Sequence, residues 1–193
     1  MLEIARQLSE NQRDFDFIDE QALTSILKIE KGEMKNLSGQ SYKAIIVPSM
    51  SVFSDASLSK LKEFATAGGK VIFTGELPYL TIGKNFMKAE NTGDLSWALH
   101  EASGNITGRM LELLPADIKI GKQLSQVKYL HRKWKDADLY FIFNESKENV
   151  SFEIAFSEKG KKQIWDAVTG KISSFKGSSV SMGPWETKFV IIK

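Results

Sequence analysis

Residues 129–146 read YLHRKWKDADLYFIFNES. From Gln126 onward the apolar positions recur with a period of two. Leu139, Phe141 and Phe143 alternate with Tyr140, Ile142 and Asn144. That is the period of a strand whose two faces meet different surroundings. Val150, Phe152, Ile154 and Phe156 repeat it, and KDAD (135–138) and SKEN (146–149) supply the turns. QIWDAVTGKISSF (163–175) reads as a hairpin with Thr169-Gly170 at the tight position. SSVSMGPWETKFVIIK (178–193) gives two more strands around Gly183-Pro184. Roughly seven short strands with regular turns predict a small antiparallel β-sandwich over residues 123–193. At about 70 residues it leans on the rest of the chain for burial.

Residues 1–122 follow another rhythm. MLEIARQLSE opens as a helix with Leu2, Ile4, Ala5 and Leu8 on one side. In DFDFID, Phe15 and Phe17 oppose Asp14 and Asp16, which predicts a strand over 14–18 with one wet face. Asp19 is placed to cap a helix over 20–28, with Glu20 in its first turn. EKGEMKNLSGQ (30–40) is a loop or a small ribbon. In YKAIIVPSM (42–50) the apolar run 44–47 is continuous, as in a central parallel strand covered on both faces, and Pro48 ends it. SDASLSKLKEFATAGG (54–69) starts on a Ser/Asp cap, sets Leu58, Leu61, Phe64 and Ala65 at helical spacing and stops at Gly68-Gly69. KVIFTGELP (70–78) is a second buried strand, closed by Gly75 and Pro78. Strand, helix and strand with short loops make a parallel layer with helices on its faces. GDLSWALHEASGN (93–105) is predicted as a short helix, with Leu95, Leu99 and Ala102 inward. RMLELLPADIKI (109–120) leads into the β half.

The predicted fold class is therefore α/β: a partial flavodoxin-like layer over 1–122, then the antiparallel β-sandwich. In flavodoxin-like order the first strand lies between the second and third. This chain opens on a helix, so the expectation is a layer without its first strand, starting one element late within a longer polypeptide.

Composition removes several classes. The 26 Lys and Arg against 24 Asp and Glu leave a net charge of +2, too little to attract nucleic acid or an anionic membrane over distance. With no cysteine there is no thiol nucleophile, disulfide scaffold or thiolate zinc site. No apolar run reaches the ~18 residues of a membrane span, and the opening residues do not read as a signal peptide. No cofactor is expected, and two isolated histidines, His100 and His131, argue against a metal site.

The candidate chemistry is sparse. His131 and Arg132 are neighbours on a strand and face opposite sides, so they cannot act on one atom without a bulge. The reading is a histidine at a sheet or domain interface and an arginine in an ion pair. Asp14, Asp16 and Asp19 resemble the start of a calcium loop, but its Gly and distal Glu are missing. Ser49 and Ser51, with Thr74 and Glu76, fall just past the carboxyl ends of two parallel strands, where α/β folds place ligands. No nucleophile elbow surrounds either serine, so cap and turn roles compete with a strand-end pocket. Trp134, Trp165 and Trp185 all lie in the β half. Indoles stack on sugar rings, and they also fill small sandwiches. Trp185, in GPWET, is the most exposed by position and with Trp134 is a possible sugar contact.

Taken in order, DFDFIDEQAL, YKAIIVPSM, LKEFATAGGKVIFTGELP, YLHRKWKDADLYFIFNES and IWDAVTGKI resemble the C-terminal region of large bacterial glycoside hydrolases of the α-L-rhamnosidase type. The resemblance implies a catalytic (β/α)₈ barrel elsewhere in the parent, with an α/β domain like class I amidotransferases or the β-galactosidase trimerisation domain, and β-sandwiches. A barrel alone takes ~250 residues, so no catalytic residue carries over, and the amidotransferase cysteine has no counterpart. His131, Arg132, Asn144, Trp165 and Asp166 then mark the architecture of the β-domain. The resemblance implies a non-catalytic fragment of a polysaccharide-degrading enzyme, periplasmic or extracellular with its parent. Its partners would be carbohydrate and the rest of the parent or a second copy of the chain. Two alternatives stay open: a free-standing carbohydrate-binding module, and a small α/β hydrolase working near Ser49 and Glu76.

Overall fold

A computed structural model describes residues 1–83 and 88–193. The chain divides into two compact units, one of Met1–Ile4 and Asp16–Arg109, the other of Ala5–Phe15 and Met110–Lys193. It opens with helix α1 (Leu2–Glu10). Ile4 and Leu8 are buried at i, i+4 spacing, whereas Leu2, expected on the same side, is 83% exposed.

The first unit contains the strands β1 (Lys28–Glu30), β2 (Glu33–Lys35), β3 (Ser41–Tyr42), β4 (Ala44–Val47) and β5 (Val52–Ser54). Helix α2 (Asp55–Thr66) follows, then β6 (Lys70–Thr74), β7 (Leu80–Ile82), β8 (Ala89–Asn91) and β9 (Leu99–Glu101). β1, β2 and β3 make the small antiparallel ribbon. Its first turn holds Lys31 and Gly32 at φ of 52° and 78°, the left-handed pair that a two-residue hairpin requires. β4, β6 and β9 are parallel neighbours in that order. β5 runs parallel to β7, and β8 is antiparallel to β7. Ser54 caps α2 by accepting the Ser57 amide at 3.1 Å. The helix ends in a Schellman turn: Gly69 N–H reaches Phe64 O, Gly68 N–H reaches Ala65 O, and Gly68 takes a φ of 103°. Leu61 and Phe64 of α2 pack with Leu23, Met34, Ile45, Val47, Val71 and Phe73.

Three expectations for this unit are corrected. Residues 14–18 form no strand. Phe17 stays exposed, and Asp16 accepts the Tyr42 hydroxyl at 2.5 Å. The helix over 20–28 shrinks to one π-turn, Ala22–Ile26. The Asp19 cap is present, holding the Ala22 amide at 2.7 Å. Thr24 and Ser25 hydroxyls bond back to the carbonyls of Glu20 and Gln21, which weakens a helix, and the chain is extended by Leu27. The helix over 93–105 is replaced by β9 and a short 3₁₀ turn, Ser103–Asn105. Asp94 caps a local turn through Ser96, and residues 99–101 find backbone partners in β6. Tertiary pairing overrides the apolar spacing that suggested a helix.

Downstream come helix α3 (Ile106–Leu113) and the strands of the second unit: β10 (Ile118–Ile120), β11 (Val127–Lys133), β12 (Asp138–Asn144), β13 (Val150–Phe156), β14 (Lys162–Trp165), β15 (Ile172–Ser174), β16 (Ser179–Met182) and β17 (Thr187–Ile192). Two antiparallel sheets result, β10-β13-β16 and β11-β12-β17-β14-β15. They enclose one core in which Ile118, Phe152, Ile154 and Val180 meet Val127, Tyr140, Ile142 and Val190. The inward set of β12 is the even-numbered one. Its odd-numbered partners, Leu139, Phe141 and Phe143, turn outward.

Candidate functional site

At the carboxyl ends of β4 and β6, the loops are tied to each other. Ser49 Oγ accepts the Glu76 amide at 3.1 Å. Thr74 is fully buried and its hydroxyl donates to Val47 O at 3.2 Å. The Ser51 carbonyl accepts the amides of Tyr79 and Leu80. Gly75 has a φ of 67°, and a Cβ there would stand 3.1 Å from Ser49 Cβ. His100 lies on β9 rather than on the predicted helix, with Nε2 against Gly75 O. Beside it, Glu101 accepts from Asn105 and the Ala102 amide and pairs with Arg109 at 2.9 Å. These bonds hold the Glu101 carboxyl below its ordinary pKa, the Asn105 contact contributing most. Ser49 and Glu76 meet through a backbone amide, and each polar group named here closes a loop.

In the second unit, His131 and Arg132 part to opposite faces, as their adjacency on a strand requires. His131 is 8% exposed and stacks on Tyr140 with ring centroids 4.2 Å apart. Its Nε2 is 2.8 Å from Asp138 and its Nδ1 is 3.4 Å from Asp117. Burial alone would lower its pKa, but the hydrogen bonds with Asp117 and Asp138 outweigh that and the net shift is upward. Burial likewise pushes the Tyr140 phenol up to about 12. Arg132 points out, 4.0 Å from Asp14. Thus Asp14, Asp16 and Asp19 serve three separate partners: Arg132, Tyr42 and the Ala22 amide.

A groove of about 470 Å³ lies on the outer face of the larger sheet. Trp134, Leu139, Trp165, Asp166, Ile172 and Phe189 line it. Trp134 sits in the β11–β12 turn, where its amide bonds to Ala137 O, and is 51% exposed. Trp165 ends β14, and the Lys193 ammonium lies 5.8 Å from its ring centroid. Asp166 opens the β14–β15 turn and accepts the amides of Val168 and Thr169 at 2.9 and 3.0 Å. Those amides, Thr169 first, depress its pKa.

Trp185 is elsewhere. It is 61% exposed, holds a φ of 57°, and bonds through its amide to Ser146 O beyond the far end of β12. Seven residues of strand separate its end of β12 from Trp134, about 20 Å at the usual rise. The structure thus joins Trp134 to Trp165 and parts it from Trp185. Asn144 builds the Trp185 end: it is fully buried, donates to Glu148 O and Gly183 O, and accepts from Ser146.

A sequence model of the glycoside hydrolase family described as alpha-L-rhamnosidase matches residues 3–178. The chain belongs to that family. A protein named "Putative beta-glucuronidase" from Formosa agariphila is 26% identical over 173 residues, covering 82% of this chain and 14% of its own length. The solved rhamnosidase from Novosphingobium sp. PP1Y has the same fold over 92% of this chain and 19% of its own, with a TM-score of 0.68 and 23% identity. An alpha-L-fucosidase from Paenibacillus thiaminolyticus matches all of this chain with 44% of its own, at a TM-score of 0.59 and 14% identity. The chain therefore spans a small part of the rhamnosidase and of the curated relative. The resemblance alone implies only an architectural role for the Trp165-Asp166 pair. Its place in a groove depends on cross-strand register, which the sequence does not display.

Proposed function

We propose that this chain is a non-catalytic C-terminal region of an α-L-rhamnosidase-type, polysaccharide-degrading glycoside hydrolase, supporting the catalytic body and contacting carbohydrate. The observation that carries the reading is coverage. The family match takes in most of the chain, yet the chain equals 19% of the solved rhamnosidase. A catalytic barrel needs ~250 residues by itself. Four of the chain's acids act as clamps: Glu101 on Arg109, Asp138 on His131, Asp166 on its turn, and Glu186 on Lys188 and the Gly183 amide.

The α/β layer fits a partial flavodoxin-like or class I amidotransferase-like scaffold. In support, β4, β6 and β9 are parallel and adjacent in chain order, with α2 between the first two. Its partner would be the rest of the parent hydrolase, outside the cytoplasm where polysaccharide is met. Carbohydrate contact rests on the exposed indoles of Trp134 and Trp185. Titrating the chain with rhamnose-terminated oligosaccharides should shift tryptophan emission to saturation. Unchanged emission across such oligosaccharides would remove the contact role.

A further inference from the structure

Lys161 and Lys193 exchange both backbone hydrogen bonds, at 2.7 and 3.1 Å, just past the paired ends of β14 and β17. Such a pair sets its Cα atoms ~5.5 Å apart, with both side chains on one face. That face is the outer one. Ile164, Val190 and Ile192 pack in the core, so the alternate positions Lys161, Trp165, Phe189 and Lys193 turn outward. The Lys193 ammonium accordingly lies 5.8 Å from the Trp165 ring centroid. Trp134, in the same row two strands further on, shares the groove with Trp165 and Leu139.

Like charges directly opposite on neighbouring strands destabilise a sheet. Among the described residues, no carboxylate pairs with Lys159, Lys161, Lys162 or Lys193. The nearby acids are committed: Glu158 to Lys133, Asp138 to His131, and Asp166 to its turn amides. Residues 159–193 hold seven lysines and two acids, so the excess is local in a chain of net charge +2. An anion between the two ammonium groups would turn their repulsion into attraction.

The surroundings select the anion. Adjacent strands stand ~4.8 Å apart, about the length of one sugar ring. A saccharide lying across the strands therefore meets Lys161, Lys193 and Trp134 with successive rings. An extended peptide repeats a face only every ~6.8 Å and falls out of step. Stripping water from a carboxylate beside Leu139 and Phe189 is costly, whereas a sulfate ester spreads its charge over three oxygens and holds water less tightly. We propose that this face binds a sulfated polysaccharide, with a sulfate ester between Lys161 and Lys193 and a nearby ring against Trp134. The proposal rests on the carbohydrate-contact reading and gives it a place and a charge class.

The test is calorimetric titration of the full chain with a sulfated galactan tetrasaccharide, its desulfated form, tetragalacturonate and poly-L-glutamate. Saturable binding is expected with the sulfated form, lost in ~1 M salt, where charges are screened beyond ~3 Å. The desulfated form should bind about ten-fold more weakly or less. The double variant Lys161→Gln, Lys193→Gln should lose about ten-fold in affinity with a Tm no lower than before, because a repulsion is removed. Lys147→Gln, in the turn at the far end of β12, should bind normally. Undiminished affinity in the double variant overturns the proposal. A fall in both its affinity and its Tm makes the pair a structural element and overturns it too. Equal or tighter binding of tetragalacturonate or poly-L-glutamate assigns the face to a carboxylate sugar or an acidic protein instead. A response to neutral rhamnose-terminated oligosaccharides without the sulfated one overturns this proposal and leaves the contact reading standing; a response to neither overturns both.

Discussion

His131 and Asp138 face each other across the β11–β12 hairpin, ring nitrogen to carboxylate at 2.8 Å. With Asp117 at 3.4 Å on the other nitrogen, the imidazolium joins the hairpin to the residue that precedes β10. The folded pKa is raised above the ordinary value of 6.5. Its stabilisation is therefore complete below that value and is lost as pH rises through the raised one. His131→Gln should cost about 1–2 kcal/mol at pH 6 and distinctly less at pH 9, measured by urea unfolding at both. An equal cost at both pH values would mean that the charge contributes nothing.

Asn144 is a fully buried polar side chain that ties the 146–149 turn to Gly183. Asn144→Ala leaves the carbonyls of Glu148 and Gly183 without these donors. Unfolding should show a loss of about 2–4 kcal/mol. Asn144→Asp keeps the shape but removes both donor contacts, so it should not rescue. A change within experimental error for either variant would contradict the pinning role.

Gly69 lies under the Phe64 ring, and a Cβ there would come within 2.1 Å of it. Phe64 is itself fully buried, so the ring has little room to retreat. Gly69→Ala should cost about 1–3 kcal/mol through overpacking. At Gly104 a Cβ meets nothing within 4 Å, and Gly104→Ala should stay within about 0.5 kcal/mol. Thermal melts of the two variants make the comparison.

Trp185 occupies left-handed backbone space at φ 57°, where a β-branched residue is strained. Trp185→Val should lower stability by about 1–2 kcal/mol, while Trp185→Gly keeps or raises it. The reverse order would show that the indole itself holds the turn.

The β half was legible because its alternation is strong and its turns carry Gly, Pro and Asp. Strands 138–144 and 150–156 lie where Leu139 to Phe156 alternate. The parallel strands were legible for a different reason, as short continuous apolar runs. The misreadings share one cause. Residues 14–18 and 93–105 carried local patterns that depended on a distant partner: the first found none in a ladder, and the second found β6. The groove was invisible for the same reason. Trp134 and Trp165 stand 31 positions apart, and only the pairing of β12 and β14 with β17 brings them together.

The central claim is that this α-L-rhamnosidase-family chain supports and contacts, and does not cleave. Its most direct test is release of nitrophenol from nitrophenyl α-L-rhamnoside by the purified chain, followed for hours at micromolar protein. The expected result is release at the buffer rate, in a preparation whose tryptophans still respond to rhamnoside. Sustained turnover proportional to chain concentration would contradict the claim and place a complete active site within these 193 residues.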